Sequence, residues 1–341
     1  MTTAKTLSFE HKSRTPIALK VTMNKALLLG LIVYLNVALP CHPAFAQSAY
    51  PNKTVELILP YAAGGGVDAM ARAFAREAAK ITNSSWIVTN KDGAGGMIGF
   101  STLANATPDG YTLVFSPASP LVVAPFLTKS MPFELSKIQP VCQVFENVFA
   151  IAVRNESPIK NFADLLKLAK DAPGKLNYGH AGTGSVPHLS VGTIEKTLGV
   201  QFNAIPYRGD GQLLPQLLAG DIDFGAPALS SIVGRNLRVL AVLSSQSQAG
   251  APDAPTITQL GVGSVTPGLN GIYATIGTPI AIVDKLQDIC AKVTNEEEFK
   301  KTATTMAQTP AYLGTPAFTK RIADVSKINA DIVKTMKLEK N

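Results

Sequence analysis

Short apolar runs alternate along the chain with stretches in which apolar residues recur every three to four positions. Val55-Glu56-Leu57-Ile58-Leu59 reads as a strand that Pro60 stops. Residues 67–80 follow with Met70, Phe74 and Ala78 at i, i+4 and i+8, the spacing of one helix face. Strands over 86–89 and 111–115, a helix over 97–106 and a Pro108-Asp109-Gly110 turn complete a βαβαβ order. The order then repeats. Strands are predicted over 149–153, 175–179, 222–224, 237–242 and 273–276. Helices are predicted over 161–170, 186–198, 212–218, 281–293 and 316–337. This alternation predicts an α/β protein built on mostly parallel sheet, with helices on both faces and two similar halves.

The first 46 residues break the pattern. Met23-Asn24-Lys25 opens a short basic segment, Ala26 to Leu39 is apolar apart from Gly30, Tyr34 and Asn36, and Ala44-Phe45-Ala46 precedes Gln47. A basic start, a short apolar core and an A-x-A site describe a secretory signal peptide cleaved after Ala46. The apolar run is too short to span a membrane, and residues 1–22 read as an upstream extension. Cys41 follows Ala38-Leu39-Pro40, without the small residue that a lipoprotein signal places before its cysteine. The mature chain is therefore expected to be exported.

The leader also changes the charge picture. The whole chain carries +7, which at first suggests nucleic acid. Five basic residues and one acid lie before Gln47, so the remainder holds 26 basic against 23 acidic residues, with no Lys/Arg run. Nucleic acid is excluded as a partner. Charged residues are only 16% and apolar residues 46%, which excludes disorder. Of three cysteines, the mature chain keeps Cys142 and Cys290. Both sit in apolar surroundings, and two free buried thiols are expected.

Two loops carry the candidate chemistry. Each joins a predicted strand to a predicted helix: Pro60-Tyr61-Ala62-Ala63-Gly64-Gly65-Gly66-Val67-Asp68, and Gly179-His180-Ala181-Gly182-Thr183-Gly184-Ser185-Val186-Pro187-His188. Glycines let backbone amides approach a ligand. The first turn of the next helix leaves its N–H groups unpaired, and the dipole adds partial positive charge. Such an end accepts anions. Either loop alone is equally an ordinary tight turn; two at matching points of two halves point to binding. Neither is a P-loop, since no Gly-Lys-Ser/Thr follows, and Gly93-Ala94-Gly95-Gly96 is too short a match to a dinucleotide fingerprint.

Several motifs recur here in one order. They are Pro60 with Gly64-Gly65-Gly66-Val67-Asp68, Asn90-Lys91-Asp92-Gly93-Ala94-Gly95-Gly96, Pro108-Asp109-Gly110-Tyr111-Thr112-Leu113, Gly182-Thr183-Gly184-Ser185 with Pro187-His188-Leu189, and Pro206-Tyr207-Arg208-Gly209. From about residue 50 to the C-terminus the chain resembles the Bug (Bordetella uptake gene) family, the TctC-type solute receptors of tripartite tricarboxylate transporters. The resemblance implies a type II periplasmic binding protein fold, with two α/β domains and a hinge beside the ligand cleft. Residues 50–148 and 271–341 would form one domain and 149–270 the other, with crossings near Phe149–Val153 and Tyr273–Gly277. One ligand carboxylate would lie between Tyr61, Ala62, Gly65, Gly66 and Asp68 on one side and Gly182, Thr183, Gly184, Ser185 and His188 on the other. Ser116 and Ser119 would meet the distal end. The solute would be a small carboxylated metabolite, a di- or tricarboxylate or an aromatic or other organic acid. A tripartite transporter permease or a sensor would be the partner, and the receptor a monomer.

Individual residues refine this. Asp68 at the start of a helix reads as a first-turn acid that orders the loop. Ser185 reads as an N-cap, with Pro187 in the first turn. His180 either lines the pocket as a pH-dependent donor or is a partly exposed loop histidine. Pro227 stands where many relatives carry an acid, which weakens an amino-acid ligand. A hydrolase using Ser185 as nucleophile and His188 as base is the alternative; no orienting acid or Gly-x-Ser-x-Gly elbow supports it. No cofactor is expected, and His180, His188, Asp221 and Asp223 lack zinc-like spacing, so no metal is expected either.

Overall fold

A computed structural model describes residues 50–263 and 265–340. The leader, its cleavage site and Cys41 lie outside the described residues. Among the described residues no helix is long and apolar enough to cross a membrane.

Two sheets organise the chain. Strands β1 (Val55–Leu59), β2 (Trp86–Asn90), β3 (Thr112–Pro117), β4 (Ile138–Asn147), β10 (Gly268–Thr275) and β11 (Gln308–Leu313) form the first, in the order β11-β4-β10-β3-β1-β2. Strands β5 (Ala150–Arg154), β6 (Asn177–His180), β7 (Asn203–Pro206), β8 (Phe224–Gly225) and β9 (Leu237–Val242) form the second, in the order β7-β6-β8-β5-β9. Read from β2 and from β7, the orders correspond over five strands, and β11 is an extra edge strand of the first sheet. In each, three parallel strands adjoin an antiparallel strand supplied where the chain arrives from the other sheet, which is β10 in the first and β5 in the second.

The inner strands β1, β3 and β5 are apolar because both faces are covered. Leu57 and Leu59 of β1 join one core with Phe115, while Ile58 and Val114 join the core on the opposite face. The first face is covered by α1 (Gly66–Thr82), α8 (Ile280–Asn295) and α9 (Glu297–Thr305); the opposite face by α2 (Met97–Ala104), α3 (Ser119–Val122), α4 (Ala124–Leu127) and α10 (Thr315–Thr335). In the second sheet α5 (Phe162–Asp171) and α6 (Val186–Leu198) cover one face and α7 (Asp210–Ala219) the other. Met70, Phe74 and Ala78 are fully buried, as their spacing predicts, and Phe74 sits edge-on to Trp86 and Phe299.

Several expectations are corrected. The sheets are mixed rather than mostly parallel, because β4, β10 and β11 pair antiparallel in the first and β5 pairs antiparallel with β8 and β9 in the second. Pattern reading passed over β4, β7, β11 and α9. In β4, Gln139, Pro140 and Gln143 interrupt the apolar positions, and register shifts against β10 spoil the alternation. The chain passes to the second sheet between Asn147 and Ala150, but its return precedes Gly268, not Tyr273: Gly268, Leu269 and Asn270 already belong to β10. Two glycines disguise this strand. A Cβ at Gly271 would overlap the Cys142 carbonyl, so the strand needs the residue that pattern reading counts against it.

Cys142 and Cys290 are not free thiols. They form a disulfide that ties β4 to α8, with Cα atoms 6.5 Å apart and a separation of 148 positions in sequence. Apolar flanks describe this bonded pair as well as they describe buried thiols. A closed loop of this size removes much of the unfolded chain's freedom. Replacing both cysteines with alanine is expected to cost about 2–5 kcal/mol, read as a lower melting temperature; a double variant that melts like the parent would contradict it.

Candidate functional site

The two glycine loops leave equivalent strands, β1 and β6, at the same edge of their sheets. The first is held from behind. Asp68 Oδ2 accepts from the Gly64 amide at 3.1 Å and from Arg72 Nε at 3.0 Å, and its Oδ1 accepts from Asn90 Nδ2 at 3.1 Å. Asn90 Nδ2 also donates to the Tyr61 carbonyl at 2.9 Å. Burial alone would raise the Asp68 carboxyl, but these hydrogen bonds and the Arg72 charge hold it below the usual carboxylate range. Asp68 orders the loop. Gly65 is the N-cap of α1 and the amides of Gly66 and Val67 have no partner within the described residues. This tip faces Gln308 and Ser230, whose side chains lie 3.5 and 4.0 Å from where a Gly66 Cβ would be.

The second loop is braced by two histidines. His180 Nδ1 lies 2.9 Å from the Gly182 carbonyl, and the Gly184 amide donates to His188 Nδ1 at 2.9 Å. These partners assign the tautomers. A carbonyl only accepts, so His180 carries its proton on Nδ1; an amide only donates, so His188 carries its proton on Nε2. The rings stack with centroids 4.0 Å apart and planes within 2°. They are 1% and 4% exposed. Burial lowers His180 to about 4, with the Gly182 bond opposing; burial, then the neighbouring His180, lowers His188 to about 3. Both rings are neutral near pH 7. His180 therefore lies behind the loop, and neither it nor His188 reaches the cavity described next.

Gly182 and Gly184 adopt φ of +117° and +75°, which side-chain-bearing residues rarely enter, and a Cβ at Gly184 would overlap the Leu127 side chain. Ser185 occupies the N-cap of α6, but its hydroxyl makes no capping bond, contrary to the sequence expectation. Its Oγ is buried with no partner. Pro187 stands in the first turn as expected. The amides of Thr183 and Val186 have no partner within the described residues, whereas the Gly184 amide is taken by His188.

A cavity of about 620 Å³ opens onto this tip. Residues 181–187 form one wall; Tyr61, Ala94, Gly95, Met97 and residues of the 117–128 segment form another; Asn147, Phe149 and 267–269, where the chain crosses between sheets, close it. Of the residues named from sequence, Tyr61, Ser119, Gly182, Thr183, Gly184 and Ser185 line it. Ala62, Gly65, Gly66, Asp68, Ser116, His180 and His188 do not. Ser116 is buried behind the wall, where its hydroxyl donates to the Pro117 carbonyl at 2.8 Å; burial raises the Tyr61 phenol to about 12, with Ser116 opposing. The α1 tip thus contributes only Tyr61 from its loop. Sequence reasoning missed Met97, Val122, Val123, Leu127, Thr128, Asn147 and Phe149; the only signal was the apolar run 120–127, broken by Pro120 and Pro125.

A larger gap of about 720 Å³ shares Asn147, Pro267 and Gly268 with this cavity but meets neither glycine loop. Its wall includes the Arg321–Glu146 ion pair at 2.6 Å, so its charges are already paired. Ser185 and His188 are not assembled as nucleophile and base, since the His188 Nδ1 lone pair is engaged by Gly184 and Ser185 Oγ has no partner.

Paired sheets with a cavity at the crossing strands define a two-lobed solute-binding protein of the periplasmic type II class. Residues 70–338 match the model of the tripartite tricarboxylate transporter family receptor, TctC, and the chain belongs to that family. It is 32% identical over 302 residues to the UPF0065 protein in the gbd 5′ region of Cupriavidus necator, covering 87% of this chain and 92% of that one. It is 33% identical over 246 residues to BugT of Bordetella pertussis, covering 70% and 75%. Among solved structures, the TctC solute-binding protein from Polaromonas superposes with TM-score 0.72 at 30% identity, covering 84% and 99% of the two chains. MatC of Rhodopseudomonas palustris, solved with bound malate, superposes with TM-score 0.69 at 25% identity, covering 83% and 100%.

The histidine pair makes stability depend on pH. Unfolded histidines titrate near 6.5, and the folded pair at about 4 and 3. Between these values the unfolded chain binds more protons, so stability is complete above about pH 6.5 and falls as the pH drops toward 3–4. The melting temperature should fall between pH 7 and 4.5. His188→Gln, which keeps an acceptor for Gly184, should flatten that slope; equal slopes in both proteins would contradict it.

Proposed function

We propose that this chain is an exported receptor that captures a small carboxylated solute at the tip of α6 and delivers it to a membrane permease or sensor. The observation that carries the reading is the unpartnered donor set on the cavity wall: the amides of Thr183 and Val186 and the buried Ser185 hydroxyl. A carboxylate satisfies all three at once, and the helix end adds favourable potential. The site needs no Lys or Arg because the backbone supplies the positive end. Family membership and the malate found in MatC support a carboxylate as the ligand. Di- or tricarboxylates and aromatic or other organic acids are the candidate solutes.

Closure follows from the wall's composition. One side comes from the first lobe and the other from the second, so a solute touching both stabilises the closed arrangement by contacts that the open one lacks. Asn147, Phe149 and the 267–269 segment are the parts of the wall that join the lobes. Export through the leader, with cleavage after Ala46, would place the receptor in the periplasm.

Binding raises the melting temperature of a receptor in proportion to ln(1 + [L]/Kd). A panel of carboxylates should therefore include at least one that shifts the melt by several degrees. Ser185→Ala should weaken that ligand about 10-fold, the worth of one charge-assisted hydrogen bond. Gly184→Val, which cannot keep the loop geometry, should abolish the shift while circular dichroism stays native-like. A panel without any shift, or full affinity in both variants, would overturn the assignment.

A further inference from the structure

The walls of the cavity narrow the kind of acid it takes. None of the described residues lining it is Lys, Arg, His, Asp or Glu. The α6 tip gathers a cluster of donors, where the amides of Thr183 and Val186 flank the Ser185 hydroxyl; elsewhere the polar side chains on the wall are the uncharged Tyr61, Ser119, Thr128 and Asn147. The rest of the wall is dominated by Met97, Val122, Val123, Leu127, Phe149 and Leu269. A carboxylate at the tip exchanges water for fixed donors. A second carboxylate against the far wall would lose water and meet no cation, which is costly in an apolar setting. Methyl, thioether and ring surfaces instead reward an apolar body. The volume of about 620 Å³ lies in the roughly 300–1,000 Å³ range of small-molecule sites.

We propose that this cavity takes a monocarboxylate with an apolar body, an aromatic or branched aliphatic acid, in preference to di- and tricarboxylates. The proposal rests on the receptor reading above and adds to it the class of solute. Its specificity is set by the absence of a cation opposite the α6 tip. The Met97–Leu127 side fills space around the body, and the donors at the tip fix its one charged end.

Calorimetric titration of the mature protein, freed of co-purified ligand by unfolding and refolding, tests this. The probes are a size-graded set of aromatic and branched aliphatic monocarboxylates, phenylacetamide as an uncharged control, and malate, adipate and citrate. At least one monocarboxylate is expected to bind about 100-fold more tightly than any polycarboxylate, as an unpaired buried charge demands, and phenylacetamide more weakly than phenylacetate. Tighter binding of malate, adipate or citrate would overturn the solute class and leave the receptor reading standing. Silence from every acid would overturn both. Thr128→Lys supplies the missing cation on the wall, and should raise adipate affinity at least 10-fold; unchanged adipate affinity would place the solute's far end elsewhere and overturn the proposal.

Discussion

The hydrogen bond from the Gly184 amide to His188 Nδ1 ties the binding loop to its own helix. It forms only while His188 is neutral, and burial against His180 keeps it so. Because that amide is spent internally, the donors left for a solute are its neighbours, Thr183 and Val186, with the Ser185 hydroxyl between them. The left-handed glycines at 182 and 184 allow the turn, and the closeness of Gly184 to Leu127 carries its geometry to the opposing lobe. A buried, neutral pair of rings thus fixes the loop that carries those amides.

The two glycine loops turn out to be unequal. Their strands and helices correspond in the two sheets, yet only the α6 tip opens onto the cavity, while the α1 tip faces Ser230 and Gln308. Each loop spends one amide internally, Gly184 on His188 and Gly64 on Asp68. The Asp68 carboxylate receives Gly64, Arg72 and Asn90, and so consumes on the inside a loop amide that would otherwise face outward. The first loop reaches the cavity through Tyr61 alone, and the second through residues 181–187.

The parts of the fold legible in sequence were those with a clean period. Alternation in β1 and the i, i+4, i+8 face of α1 predicted both elements, and the glycine loops flagged the strand ends that matter. What was hidden depended on contacts between distant segments. Strand β4 has polar residues and a proline at positions that only its neighbours β10 and β11 explain, and the Cys142–Cys290 bond follows from α8 packing on that strand. In the site, residue types pointed to the α6 tip, where the amides of Thr183 and Val186 have no partner within the described residues. The residue types gave no sign that His188 would bind the loop from behind, which depends on its ring stacking on His180, or that Val122 to Thr128 would form the facing wall, which depends on packing between distant segments.

Where a carboxylate sits decides the account. A crystal structure with the tightest-binding acid should place one carboxylate within hydrogen-bond distance of the Thr183 and Val186 amides and Ser185 Oγ, with the rest of the molecule along Met97, Val123 and Leu127. A carboxylate found instead beside Gln308 and Ser230 at the α1 tip, or against Arg321 in the larger gap, would contradict it.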